Sequence, residues 1–325
     1  MFRKLILPIL LASALLLGAC AQATPTPELS TATAVPTLAP TVAPSPTPII
    51  LTDSAGRVVT LAAPAQRIVS LAPSNTEILF AIGAGDRLIG RDDYSDYPKE
   101  ALSVPSIGSL YPSVNAEAIV ALKPDLVLAA GINSDADVQA LADLGLTVYK
   151  TSTAAGLEDI YKDISAVGQL TGTAEAAGQL VADLRARADA VTAKTSGASN
   201  KPVVLYEIDA TEPSKPWTSG PGSFIDLLIT MAGGENVGKV GSSDYFQLSL
   251  EQLVAQDPDV IVLGSSTYGG QTPELVAKRA GWENLKAVKN GAVYSFDDNL
   301  VSRPGPRIVD GLETLAKLIH PELFK

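Results

Sequence analysis

Cysteine and histidine are almost missing from this 325-residue chain, with one of each, Cys20 and His320. A lone cysteine closes no disulfide within the chain, so stability has to come from a buried core. The same scarcity leaves no set of histidines and cysteines for a zinc site. His320 precedes Pro321 near the end of the chain, where the C-terminus of a helix is expected. No G-x-S-x-G elbow accompanies it, and no nucleophile–base arrangement of another kind is visible. No catalytic residue, metal or resident cofactor is therefore expected. Basic runs are absent too: 24 Lys and Arg face 35 Asp and Glu, for a net charge of −11. Phosphate backbones need clustered cations, so nucleic acid is excluded as a partner. Beyond the first twenty residues no segment is apolar and long enough to cross a membrane.

What is present begins with Arg3 and Lys4, followed by an apolar run from Leu5 to Leu17 and then Gly18-Ala19-Cys20. The run is too short for a membrane span and reads as a signal peptide over residues 1–19. Small residues just before a cysteine resemble a bacterial lipobox. That resemblance implies cleavage before Cys20 and lipid on its sulfur, anchoring the protein to the cell membrane from outside the cytoplasm. Loss of Arg3 and Lys4 would take the charge from −11 to −13. Residues 20–48 form a tether. Seven prolines and seven threonines with a single charge, Glu28, build no packed core. Such a segment can extend to roughly 87 Å at about 3.1 Å per residue.

From Ile49 onward, short β-branched runs alternate with helical patterns. Arg67–Leu71, Asp125–Ala129, Thr147–Tyr149, Val203–Tyr206, Val260–Leu263 and Ala292–Tyr294 read as buried strands. A helix over Ser74–Ile82 follows the first of them, with Ser74 in position to cap it and Gly83 to end it. The alternation predicts an α/β fold of parallel-type sheets covered by helices. Thr173 to Thr195 has no proline, and Val181, Leu184, Ala188 and Val191 recur at spacings of three and four. That predicts one helix roughly 34 Å long at 1.5 Å per residue. It divides the body into an N-terminal lobe (49–172), a bridging helix (173–196) and a C-terminal lobe (197–325).

An internal repeat supports the two lobes. Glu117-Ala-Ile-Val-Ala-Leu-Lys-Pro-Asp-Leu-Val-Leu128 returns as Glu251-Gln-Leu-Val-Ala-Gln-Asp-Pro-Asp-Val-Ile-Val262, identical at five of twelve positions. Each copy reads as a short helix, a Pro-Asp turn and a buried strand. Asn115 and Ser249 can cap the two helices, which puts Glu117 and Glu251 in their first turns. Gly233-Gly-Glu-Asn-Val-Gly-Lys239 has the spacing of a phosphate-binding loop. However, Val240 stands where Ser or Thr should be, and the segment follows a helix (Phe224–Met231) rather than a strand.

Several of these segments together resemble the periplasmic binding proteins of ABC importers for cobalamin, heme and iron-siderophores. They are Arg67-Ile-Val-Ser-Leu-Ala-Pro-Ser-Asn-Thr-Glu77, Tyr94-Ser-Asp-Tyr-Pro98, Ala121-Leu-Lys-Pro-Asp-Leu-Val127, Gly233-Gly-Glu-Asn236 and Arg303-Pro-Gly-Pro-Arg-Ile308. The resemblance covers residues 50 to 320. It implies two α/β lobes joined by a long rigid helix, and a ligand held between the lobes. It also implies delivery to a permease dimer with its ATPase, docked through Glu117 and Glu251.

Tyr94-Ser-Asp-Tyr-Pro98 is most similar to the cobalamin-binding branch. By that likeness Tyr94, Tyr111, Trp217, Tyr245, Asn299 and Arg303 would contact a cobalamin or related corrinoid. Tyr111 and Tyr245 stand where tryptophans are usual, Asn299 where an aspartate is, and Ala130 lacks an expected tryptophan altogether. Arg303 would also suit an anionic group, which keeps heme and ferric siderophores as alternative ligands. A surface sensing or adhesion module remains a rival on the same fold.

Overall fold

The computed structural model describes residues 47–325, which belong to one compact unit. The signal segment, Cys20 and nearly all of the tether lie outside the described residues. The chain enters through an antiparallel hairpin, β1 (Ile49–Thr52) and β2 (Val58–Leu61). The Asp53 carboxylate closes its turn by accepting from the Ala55 and Arg57 amides at 3.0 and 2.9 Å.

The N-terminal lobe is built on β3 (Ile68–Ser70), β4 (Leu88–Arg91), β5 (Leu126–Ala129) and β6 (Val148–Lys150). They form a parallel sheet in the order β4-β3-β5-β6. The C-terminal lobe carries β7 (Val203–Asp209), β8 (Trp217–Ser219), β9 (Glu235–Asn236), β10 (Tyr245–Gln247), β11 (Val260–Leu263) and β12 (Val293–Ser295). Here β9, β7, β11 and β12 run parallel, while β8 and β10 add an antiparallel extension to the far half of β7. The expectation of parallel-type sheets holds for both lobes, with that extension added.

The central strands bury both faces, which is why they appear in the sequence as unbroken apolar runs. Ile68, Leu126 and Leu128 face one cluster, and Val69, Val127 and Ala129 face another. In the other lobe Val204, Tyr206, Val260 and Val262 alternate in the same way with Leu205, Ile261 and Leu263. One apolar cluster runs from the N-terminal lobe through the bridging helix into the C-terminal lobe, so the two halves share a core.

The bridging helix spans Ala174–Thr195, close to its expected limits, and buries Leu184, Ala188 and Val191. Val181 is only half-buried. Arg187 ties this helix to helix Ile308–Ile319, reaching Asp310 at 2.5 Å and Glu313 at 2.9 Å. The Ser74 cap is corrected: the helix spans Pro73–Ala81, and Ala72 at its N-cap makes no side-chain hydrogen bond. Pro73 already supplies the fixed φ and missing N–H of a first helical residue, so no capping oxygen is required there. His320 does end helix Ile308–Ile319, and its Nε2 meets the Gly233 carbonyl at 3.2 Å. The segment resembling a phosphate loop forms β9 and a 3₁₀ turn, Val237–Val240, after helix Phe224–Met231. Among the described residues no helix is long and apolar enough to cross a membrane.

Candidate functional site

The carboxyl ends of the parallel strands in both lobes open onto a cleft of about 830 Å³. That is where open α/β sheets place ligands, in the crevice formed where loops leave the strands for the elements that follow. In the N-terminal lobe a buried polar hub fixes the turns. Asn75 Nδ2 donates to the Ala129 carbonyl at 2.9 Å, and Thr151 Oγ1 donates to Asn75 Oδ1 at 3.1 Å. Thr76 Oγ1 bonds Ser95 Oγ at 2.9 Å. The buried Asp92 carboxylate accepts from Ser95 Oγ and, at 2.9 Å, from the Tyr94 amide. Burial pushes the Asp92 carboxyl above its usual range, partly offset by those bonds. The hub thereby holds Tyr94 at the rim with its ring in the cleft.

The opposite wall comes from the C-terminal lobe. Trp217 and Tyr245 sit on β8 and β10; β8 pairs with β7 and β10 with β8, and this extension brings both residues to the cleft. Tyr268 follows β11, and Asp298 and Asn299 follow β12. Tyr268 Oη donates to Asn299 Oδ1 at 2.6 Å. Below them the buried Tyr206 hydroxyl donates to Asp298 Oδ1 at 2.7 Å. Burial, reinforced by Asp298, pushes that hydroxyl well above the usual tyrosine range and keeps it a donor. Gly264 is needed at this point, since a Cβ would come within 2.5 Å of the Tyr206 hydroxyl.

Of the six residues expected to meet a ligand, the cleft gathers Tyr94, Trp217, Tyr245, Asn299 and Arg303. Tyr111 is not among its lining residues; it stands 65 % exposed on the loop before helix Ala116–Ala121. Counting back from Glu117 and Glu251 shows that Tyr111 and Tyr245 are counterparts in the two repeats. Only the second is carried by a strand into the cleft. Ala130 does line it, so the missing tryptophan leaves space there. Tyr268, Phe224 and Asp298 line the cleft and were not anticipated.

Arg303 is the one lining cation, and it is already engaged. Its Nη1 lies 2.6 Å from Asp96 Oδ1, across the lobes, and its Nη2 donates to Tyr268 Oη at 3.2 Å. Asp298, the one lining carboxylate, has no cation within ion-pair distance among the described residues. The cleft is thus an aromatic and aliphatic slot with hydroxyl, amide and carboxylate groups at its edges, and no free positive charge.

Residues 68–300 match the profile of the periplasmic binding protein family. The chain belongs to that family. An ABC transporter substrate-binding lipoprotein, YvrC of Bacillus subtilis, is 34% identical over 281 residues, covering 86% of this chain and 87% of that protein. The cobalamin-binding protein of Halobacterium salinarum is 32% identical over 279 residues, covering 84% and 74%. Among solved structures, the periplasmic heme-binding protein RhuT from Roseiflexus sp. RS-1 superposes with a TM-score of 0.71 at 25% identity, covering 80% of this chain and 99% of that one. The two-lobed α/β architecture and the importer family read from the sequence are thus established. The protein is an extracytoplasmic substrate-binding component of an ABC transporter, which works by binding rather than catalysis and serves a permease and its ATPase.

Both glutamates of the repeat stand exposed in the first turns of their helices. Asn115 Oδ1 accepts from the Ala118 amide at 3.1 Å, and Ser249 Oγ accepts from the Gln252 amide at 3.2 Å. Neither glutamate has a cation within ion-pair distance among the described residues.

Proposed function

We propose that this chain is a lipid-anchored binding protein that holds cobalamin or a related corrinoid between its lobes and delivers it to an ABC permease dimer. The observation that carries the ligand is the charge of the cleft. Its one lining cation is committed to Asp96, while aromatic rings offer wide flat contact. A corrinoid presents a planar macrocycle fringed with neutral amides, which suits such a slot. Heme brings two propionates and would have to break the Arg303–Asp96 pair to find a cation. The cobalamin-binding relative supports the same reading. Tyr94, Trp217, Tyr245, Asn299 and Arg303 are the proposed contacts, with Tyr111 joining only through movement of its loop. Cys20 is the proposed lipid site, in keeping with the lipoprotein relative. The 20–48 stretch is the proposed tether, and Glu117 and Glu251 are the proposed docking carboxylates.

Calorimetric titration of residues Ile49 to Lys325 with cyanocobalamin, hemin and a hydroxamate siderophore tests the ligand. Tight one-to-one cyanocobalamin binding is expected, weakened about tenfold or more, or ~1.4 kcal/mol, in Trp217→Ala. Silence with cyanocobalamin beside a clear hemin or siderophore signal would overturn the corrinoid and leave the importer role standing.

A further inference from the structure

The five identities in the repeat are not spread at random over its structure. Two of them, Pro124/Pro258 and Asp125/Asp259, lie in the turn before the buried strand, where the aspartates have a structural task in both lobes. Asp125 accepts from the backbone amides of Gln66 and Arg67 at 2.8 and 3.0 Å, at the start of β3. Asp259 accepts from the Val203 amide at 2.9 Å, at the start of β7. The other three identities are Glu117/Glu251, Val120/Val254 and Ala121/Ala255. All six of these residues are exposed.

Their spacing of three and four puts each set on one face of its helix. Inside the same helices the buried positions differ: Ile119 answers to Leu253, and half-buried Leu122 to Gln256. Packing requirements fall on buried positions, which here have diverged. Identity survives instead where solvent would tolerate almost any residue. Val120 and Val254 are 40 % and 48 % exposed, and solvent alone gives no reason for an apolar side chain at both. A single exposed valine needs no explanation, but the same valine beside the same unpaired carboxylate on each lobe does.

We infer that Glu117-Val120-Ala121 and Glu251-Val254-Ala255 are two copies of one contact surface, made for a partner that presents the same socket twice. Each socket pairs a basic group, for the glutamate, with a small apolar hollow that takes the valine and lets the backbone approach over the alanine. The occupant is the permease dimer, whose two like subunits supply the two sockets. This rests on the docking reading of the glutamates and adds to it an apolar half that the carboxylates alone do not require. Charge steers and orients such a contact, whereas desolvated apolar groups at its centre hold it.

The test uses the full lipidated chain with the organism's permease–ATPase complex in nanodiscs, reading docking affinity and stimulated ATP hydrolysis. The double variant Val120→Asn with Val254→Asn is expected to dock about tenfold or more weakly. Its cyanocobalamin or hemin titration and its melting curve should match those of the unsubstituted chain, because both positions are exposed and outside the cleft. The companion double variant Glu117→Arg with Glu251→Arg tests the underlying reading. Loss of docking in the arginine variant with docking unchanged in the asparagine variant would overturn the apolar half alone. Docking retained by both would overturn the surface altogether.

Discussion

Arg307, from the C-terminal lobe, lays its guanidinium edge against the buried carboxylate of Glu77 in the N-terminal lobe, with Nε at 2.9 Å from Oε2 and Nη2 at 2.6 Å from Oε1. Arg303 Nη1 stands 3.7 Å from the same carboxylate, and the Tyr97 ring lies 3.9 Å from the Arg307 guanidinium carbon. Burial raises the Glu77 carboxyl above the usual range while both arginines pull it back. Removing Arg307 takes away both hydrogen-bonded contacts to the buried carboxylate and leaves only Arg303 at 3.7 Å, so Arg307→Ala should cost about 3 kcal/mol in a urea melt of residues Ile49 to Lys325. Arg307→Met combined with Glu77→Met should cost far less, since it removes both charges and keeps the volume. A loss below about 1 kcal/mol in Arg307→Ala would mean that the pair behaves as an exposed one and does not clamp the lobes.

The pH dependence of stability should carry the mark of Asp92. Its folded carboxyl titrates above the ordinary value of 3.8, first because of burial. Between those two values the folded chain binds more protons than the unfolded one, so this group makes the protein more stable as pH falls through the window. Asp92→Asn, which resembles the protonated form, should remove that contribution, so on lowering the pH toward 3.8 its melting temperature should gain less, or lose more, than that of the unsubstituted chain. An unchanged pH dependence would show that Asp92 titrates as an ordinary carboxylate.

Strands buried on both faces were legible because burial on both faces leaves no polar alternation to blur them, as in Leu126–Ala129 and Val260–Leu263. The bridging helix was legible from Leu184, Ala188 and Val191, whose spacing needs no tertiary information. The β8–β10 extension was not, because each strand has three residues and Trp217, Tyr245 and Gln247 are exposed. Two of the five expected residues that line the cleft, Trp217 and Tyr245, depended on that extension. Asp298 escaped notice because family likeness aligned its neighbour Asn299 with the expected acid. Tyr268 carries no motif at all; it reaches the cleft through the turn at Gly264. The state of Arg303 was out of reach for another reason. Its partner Asp96 lies 207 residues away, and only the folded arrangement of the two lobes shows that this cation is taken.

The repeat also predicts two unequal responses to one substitution. Lys123 and Asp257 are counterparts, and both hold positive φ, 49° and 43°, just before a proline. The proline that follows cannot continue the helix, and each helix exits through the left-handed conformation. Glycine adopts it without strain, against a loss of about 0.5–1 kcal/mol for the extra freedom of the unfolded chain. A non-glycine residue held there costs about 1–3 kcal/mol. The balance of those two figures predicts that Lys123→Gly gains stability, by up to about 2 kcal/mol. Asp257→Gly gains less relief, because Asp tolerates the left-handed region better than Lys, and it removes the carboxylate that lies 3.7 Å from Lys286 Nζ and accepts from the Lys286 amide at 2.9 Å, a bond of about 0.5–1.5 kcal/mol. Urea melts of the two variants side by side should show a gain for Lys123→Gly and none for Asp257→Gly. Equal gains would mean that the Asp257 bond contributes nothing. A loss in both would mean that these exits are unstrained.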